Sequence, residues 1–222
     1  MFSVLFDVHP RPDRWDAYLG YATLLRPELE RIDGFVDNVR YRSLTRDRWL
    51  LSLSGWRDEK ALVRWRTQAT HHGIQQRGRN EIFIDYHLRV GQVTRDTHLP
   101  AGYSLDDQRL DETQTGAGTT VVLIDARHSV ASMPDAAPDA IAKCLGLAPD
   151  SPGLVAWDVL DAILAPGDMM LLTTWRDRSA AAAFEGAALI PPDARVRCVR
   201  IVRDYGMFDR REAPQYYADL RR

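Results

Sequence analysis

The stretch WRTQATHHGIQQRGR, residues 65–79, crowds one Trp, two adjacent His, three Gln and three Arg together with almost nothing apolar between them. A helix that only covers a sheet carries an apolar stripe at three- and four-residue spacing, and here imidazole, amide and guanidinium groups stand where that stripe should continue. An imidazole titrates near neutrality and can hold or move a proton, while amide and guanidinium donors can stabilise a developing oxyanion. Projected as one helix over 57–78 at about 100° per residue, Leu62, Trp65, Ala69, His72 and Gln76 form one stripe, and Arg64, Gln68, His71, Gln75 and Arg79 another. Helical spacing therefore groups His72 with Trp65. The plain reading of both histidines is a wet helix end, where cationic side chains favour the C-terminal carbonyls. The alternative is a pocket in which one imidazole binds a phenolic substrate and helps move its proton.

Two candidates lie outside this stretch. Asn38 falls mid-strand, where a buried amide must find hydrogen-bond partners; facing the helices, it would be placed to donate to a substrate carbonyl or to reduced oxygen. Tyr86 and His87 point to opposite faces of the last strand of their unit, so only one of them lines a given cavity.

The elements that must position these residues occur twice. GFVDNVRY (34–41) aligns with GLVAWDVL (153–160), and LLSLSGWRDEKALVRW (50–65) with MMLLTTWRDRSAAAAF (169–184), both at an offset of 119 residues (34 to 153, 56 to 175). The closing VTRD (93–96) and IVRD (201–204) are offset by only 108 (95 to 203), so the second copy is 11 residues shorter between its Trp-Arg-Asp motif and its last strand. That loss falls on the stretch that carries the histidines. Short apolar runs bounded by turn residues predict strands, and Tyr18, Ala22, Leu25, Leu29 and Ile32 predict one buried face of a helix over 13–32, kinked or divided at Pro27. Each copy reads β-α-β-β-α-β, an α+β pattern of two ferredoxin-like units. The expected organisation is an N-terminal domain, 1–96, a polar linker, 97–118, and a C-terminal domain, 119–222, with a shortened second helix and a tail. Trp56 and Trp175 end matched strands and are expected to pack. The recurring pairs Arg95-Asp96 and Arg203-Asp204 are expected to form structural ion pairs or interface contacts.

Composition bounds the function. With 29 basic against 31 acidic residues, the net charge of −2 offers no field for a polyanion, so nucleic acid is not expected as a partner. Cys144 and Cys198 show no metal or disulfide spacing and are expected to be buried thiols, and no metal site is expected. No apolar run reaches the length of a membrane span, and no leader pattern opens the chain; the expectation is a cytoplasmic protein that does not bind membranes.

The string LSLSGWRDEKALVRWR, followed by His71, Gln75, Arg79 and DYHLRV, together with the closing VRDYGMFDRREAP, resembles the antibiotic biosynthesis monooxygenase family. The resemblance implies a dimeric α/β-barrel fold, in which two units pair their antiparallel sheets, here within one chain. It implies oxygenase chemistry on a small aromatic or polyketide-type substrate of secondary metabolism, with O2 as partner and one pocket per chain, in the N-terminal domain. On the family's spacing of Trp, His and Gln, the site residues are Trp65, His71 and Gln75, whereas helical projection selects His72. Asn38, Arg79, Tyr86 and Asp7 complete the candidate set, Asp7 standing near an Asn that haem-degrading relatives use. Either no cofactor is required, or haem is bound with His71 or His72 as axial ligand, Trp65 against the macrocycle and Arg79 near a propionate. A non-catalytic ligand-binding or assembly module is the remaining alternative, and a homodimer of the tandem chain is compatible with the fold.

Overall fold

The computed structural model describes residues 1–125, 137–188 and 190–214. The end of the expected C-terminal tail and the segment between 125 and 137 lie outside the described residues. The elements are β1 (Phe2–Pro10), α1 (Trp15–Glu30), β2 (Phe35–Ser43), β3 (Leu50–Trp56), α2 (Glu59–Thr67), α3 (Ala69–Arg77), β4 (Phe83–Asp96), β5 (Thr120–Asp125), α4 (Pro138–Cys144), β6 (Leu154–Ala162), β7 (Met169–Trp175), α5 (Arg178–Ala187) and β8 (Arg195–Gly206). The eight strands close into an antiparallel barrel in the order β1-β3-β2-β6-β7-β5-β8-β4. Closure removes the exposed edges that an open sheet would leave. Along one seam β4 pairs with β8 from His87↔Gly206 to Asp96↔Arg197, and along the other β2 meets β6 from Tyr41↔Ala162 to Ser43↔Leu160.

Strand alternation sorts the side chains. Leu5, Leu51, Leu53, Leu123, Met170, Leu172 and Ile201 point into the barrel and fill it, so the interior is a packed core, as expected of a barrel of eight strands. Ion pairs reinforce the seams: Arg195 holds Asp96 at 2.7 Å and Arg42 holds Asp161 at 2.6 Å. Asp204 meets His87 across the β4/β8 seam at 2.5 Å. The opposite strand faces point outward and are covered by the helices.

Matched residues of the two halves take matched geometry. Gly34 and Gly153 sit at φ 90° and 84°, a conformation that favours glycine, and an added Cβ would come within 2.7 Å of Ala61 Cβ or 2.6 Å of Ala180 Cβ. Asp58 and Asp177 each cap the following helix, accepting from the Ala61 and Ala180 amides at 2.8 and 2.9 Å. Trp56 and Trp175 are fully buried, and their indole N–H groups donate to Ser54 and Thr173 hydroxyls at 3.0 and 2.8 Å. Packing, as expected, is their role.

Three expectations are corrected. The helix over 57–78 is two helices, because Gln68 adopts ψ 130°, ends α2 and then caps α3, its side-chain oxygen accepting from the His71 amide at 2.7 Å. Pro27 does not divide α1, since it falls in the last turn, shortly before the helix ends at Glu30. Cys198 is buried, which pushes its thiol pKa up, but Cys144 is exposed at the end of the short α4. Residues 97–119 form no helix or strand and are tied down by Gln92, whose side-chain oxygen accepts from the Gln108 and Arg109 amides. Among the described residues, no helix is long and apolar enough to cross a membrane.

Candidate active site

A cavity of about 220 Å³ lies between α1, α2 and α3 and the outward face of the N-terminal strands. Its strand floor is laid by alternation: Val4 and Phe6 on β1, Asn38 and Arg40 on β2, Ser52 and Ser54 on β3, and Tyr86, Leu88 and Val90 on β4. Tyr18 and Leu25 of α1 form one wall, Leu62 and Trp65 of α2 another, and His71 and Gln75 of α3 a third. Phe6, Phe83 and Tyr86 meet edge to face with centroids 5.7–6.1 Å apart, so the apolar end is lined by rings.

The break at Gln68 decides which histidine enters. Trp65 is buried, and the α3 backbone turns so that the His71 ring stacks on its indole, with centroids 4.1 Å apart and an interplanar angle of 14°. His71 Nδ1 lies 2.9 Å from the Trp65 carbonyl oxygen. A carbonyl only accepts, so Nδ1 carries the proton and Nε2 keeps its lone pair. Burial pulls the imidazole pKa down to about 4, against the raising effect of the Trp65 hydrogen bond, with the neighbouring His72 adding to the lowering. His71 is therefore neutral at physiological pH. His72 is exposed and absent from the lining, so its grouping with Trp65, which assumed one continuous helix, is corrected.

The polar residues divide by how their hydrogen bonds are spent. Asn38 Nδ2 donates to Ser52 Oγ at 3.0 Å and to the Leu53 carbonyl at 3.1 Å. Because that carbonyl must face the amide nitrogen, Asn38 offers the cavity an acceptor oxygen and not the donor expected from the sequence. Arg79 is buried and donates to the Tyr86 hydroxyl at 3.1 Å and the Met207 carbonyl at 2.9 Å. Arg210, from the segment after β8, donates to the same hydroxyl at 2.6 Å. That segment is fastened by Glu212, whose carboxylate accepts from the Thr113 hydroxyl at 2.6 Å, the Asp204 amide at 2.7 Å and the Gln114 amide. The second half of the chain thus supplies part of the wall of a cavity centred on the first.

The structure brings together Trp65, His71, Gln75, Asn38, Arg79 and Tyr86. Asp7 is not among them. On β1 it points into the barrel, pairing with Arg46 at 2.6 Å and Arg89 at 3.0 Å. Burial alone would raise its pKa, but the two guanidiniums hold it below the usual carboxylate range. Sequence reasoning missed Tyr18, Arg40, Ser52 and Arg66. The repeat held a signal for two of them, since Arg40 and Ser52 correspond to Val159 and Leu171 at the 119-residue offset (40 to 159, 52 to 171). Among the described residues no cluster of His, Cys, Asp or Glu could hold a metal ion.

A ring-lined apolar cavity over a sheet, holding one neutral imidazole and a few aimed polar groups, defines a site for a small molecule. The chain belongs to the antibiotic biosynthesis monooxygenase family. The family's sequence profile matches residues 1–77. The whole chain is 48% identical over 222 residues to a jasmonate monooxygenase of Pyricularia oryzae (strain 70-15 / ATCC MYA-4617 / FGSC 8958), covering 98% of each chain. Family and relative together support a monooxygenase function. Among solved structures, an anthrone oxidase-like protein is 14% identical, with a TM-score of 0.38 and 96% of each chain covered. An aldoxime dehydratase in complex with butyraldoxime is 13% identical, with a TM-score of 0.49, covering 90% of this chain and 79% of that one.

Proposed function

We propose that this protein is a monooxygenase of small, largely apolar metabolites that works through one site per chain, the cavity of the N-terminal half. In this reading the chain is two ferredoxin-like domains in tandem, 1–96 and 119–222, joined by 97–118, and the second serves as the built-in partner that closes the barrel. The observation that carries it is His71, neutral and half-buried, with Nδ1 engaged by a carbonyl and Nε2 left as a base beside an apolar chamber.

The chemistry follows from that base. A substrate with an acidified C–H or a phenolic O–H gives its proton to Nε2, and the cavity's guanidinium groups stabilise the resulting anion. The anion reduces O2, a C–O bond forms, and the imidazolium returns its proton to the resulting peroxide anion, giving a hydroperoxide. Loss of water then leaves a carbonyl. The balance is CH2 plus O2 to C=O plus H2O, with O2 as the sole oxidant. Insertion at an unactivated carbon would need a two-electron donor as well. Jasmonate, in the relative's name, and the small aromatic or polyketide-type molecules of secondary metabolism are the substrates to test. The reading carries no step through haem.

Oxygen uptake with such a panel, and incorporation of label from 18O2 into the product, test the activity. His71→Ala is expected to lower kcat by roughly 10²–10³-fold, the range of a lost general base, whereas His72→Ala should stay within about twofold of the unaltered protein. Full activity in His71→Ala would remove the base from the mechanism.

A further inference from the structure

The charge lining the cavity is one-sided. Arg40, Arg66, Arg79, Arg203 and Arg210 face a single carboxylate, Glu59, which is itself held by Arg109. Arg79 and Arg210 are engaged by the Tyr86 hydroxyl. Arg40 and Arg66 differ. The Nε atom of each is buried without a hydrogen-bond partner, and among the described residues neither side chain forms an ion pair with a carboxylate. Arg40 interacts with the Tyr18 hydroxyl, a group that burial pushes above its ordinary pKa and so keeps protonated. Both residues are only partly exposed, and a guanidinium partly withdrawn from water gains from a counter-charge with good geometry.

We propose that this pocket selects carboxylate substrates, with the apolar body of the molecule among the rings and its carboxylate on the guanidiniums of Arg40 and Arg66, which no carboxylate among the described residues holds. The planar guanidinium fork matches a carboxylate, two N–H groups to two oxygens. Arg40 stands on a strand in mid-barrel and is therefore rigidly placed, while Arg66 closes from α2. The assignment rests on the same cavity being the substrate site, but its test does not depend on turnover.

Calorimetry on the full chain with three acids and their methyl esters, jasmonate, 1-naphthoate and phenylacetate, measures the preference directly. The acid is expected to bind at least ~10-fold more tightly than its ester, the worth of a charge-assisted hydrogen-bond pair. Arg40→Met and Arg66→Met, checked for folding by circular dichroism, should each cut that ratio severalfold, and Arg40→Lys should keep most of it. The proposal is overturned if no acid binds more tightly than its ester, or if neither methionine variant moves the ratio. Acid preference without oxygen uptake would sink the oxygenase reading and leave this one standing. Oxygen uptake without acid preference would do the reverse.

Discussion

The N-terminal half of the barrel turns Asn38, Arg40, Ser52 and Trp65 toward its helices, where the C-terminal half, 119 residues on, carries Trp157, Val159, Leu171 and Phe184 (38 to 157, 65 to 184). The strands, glycine turns and helix caps are alike, and the contents of the layer are not. In the second half Phe184 stacks on Trp175 at 4.8 Å within one hydrophobic cluster that also takes in Val159, Leu171 and the partly buried Trp157. In the first half Trp65 stacks on His71 instead, and the space beyond them is the cavity. A scaffold of fixed backbone geometry can thus be filled for stability or left hollow for binding, and a handful of side chains decides which.

The sharpest way to break this comparison is to remove matched packing residues. Phe184→Ala should cost about 4 kcal/mol of stability, as truncating a buried aromatic does, while Trp65→Ala, at the edge of a cavity, should cost about half that and raise KM. Equal losses in urea denaturation would mean that the two layers are packed alike. Acid titration comes next. With a folded pKa of about 4 for His71 and an unfolded value near 6.5, the unfolded chain takes up a proton that the folded chain refuses. The stability His71 confers is therefore full above pH 6.5 and is lost as pH falls from there to 4, by up to ~3 kcal/mol. His71→Ala should lack this slope, and an identical slope in that variant would assign it to other groups.

Transplanting the second half's choice into the first is a milder probe. Asn38→Trp, which installs the residue found at position 157, should weaken substrate binding at least ~10-fold by filling the cavity while the protein stays folded; unchanged affinity would place the substrate elsewhere. The smallest effect expected is that of Glu212→Gln, which loosens the segment carrying Arg210. A rise in KM of about threefold with kcat unchanged corresponds to one weakened charge-assisted hydrogen bond, and a fall in kcat alone would give this segment a part in the chemistry.

Much of the fold was legible because it rests on local signals. Apolar runs between turn residues marked the strands, and the constant offset aligned the segments that carry them. The site was legible only in part. Trp65, His71, Gln75, Arg79 and Tyr86 lie where the resemblance and the missing 11 residues pointed. Asp7 was misassigned because strand alternation says only that neighbouring side chains face opposite ways, not which face is the barrel interior. Tyr18, Arg40 and Arg66 were missed because each comes from a different element, and no spacing along the chain joins them.

Sequence alone thus determined most element types, their order along the chain and the stretch at which the two aligned segments diverge, since those depend on near neighbours in the chain. Which histidine enters the cavity was decided only in three dimensions. One residue, Gln68, leaves the helical conformation, and the turn it makes carries His71 under Trp65 and leaves His72 in water. A helical projection assumes an unbroken axis and cannot register such a turn. The one-sided charge of the cavity is likewise a property of closure, because it exists only where β2, α2 and the segment after β8 bring their arginines around one space.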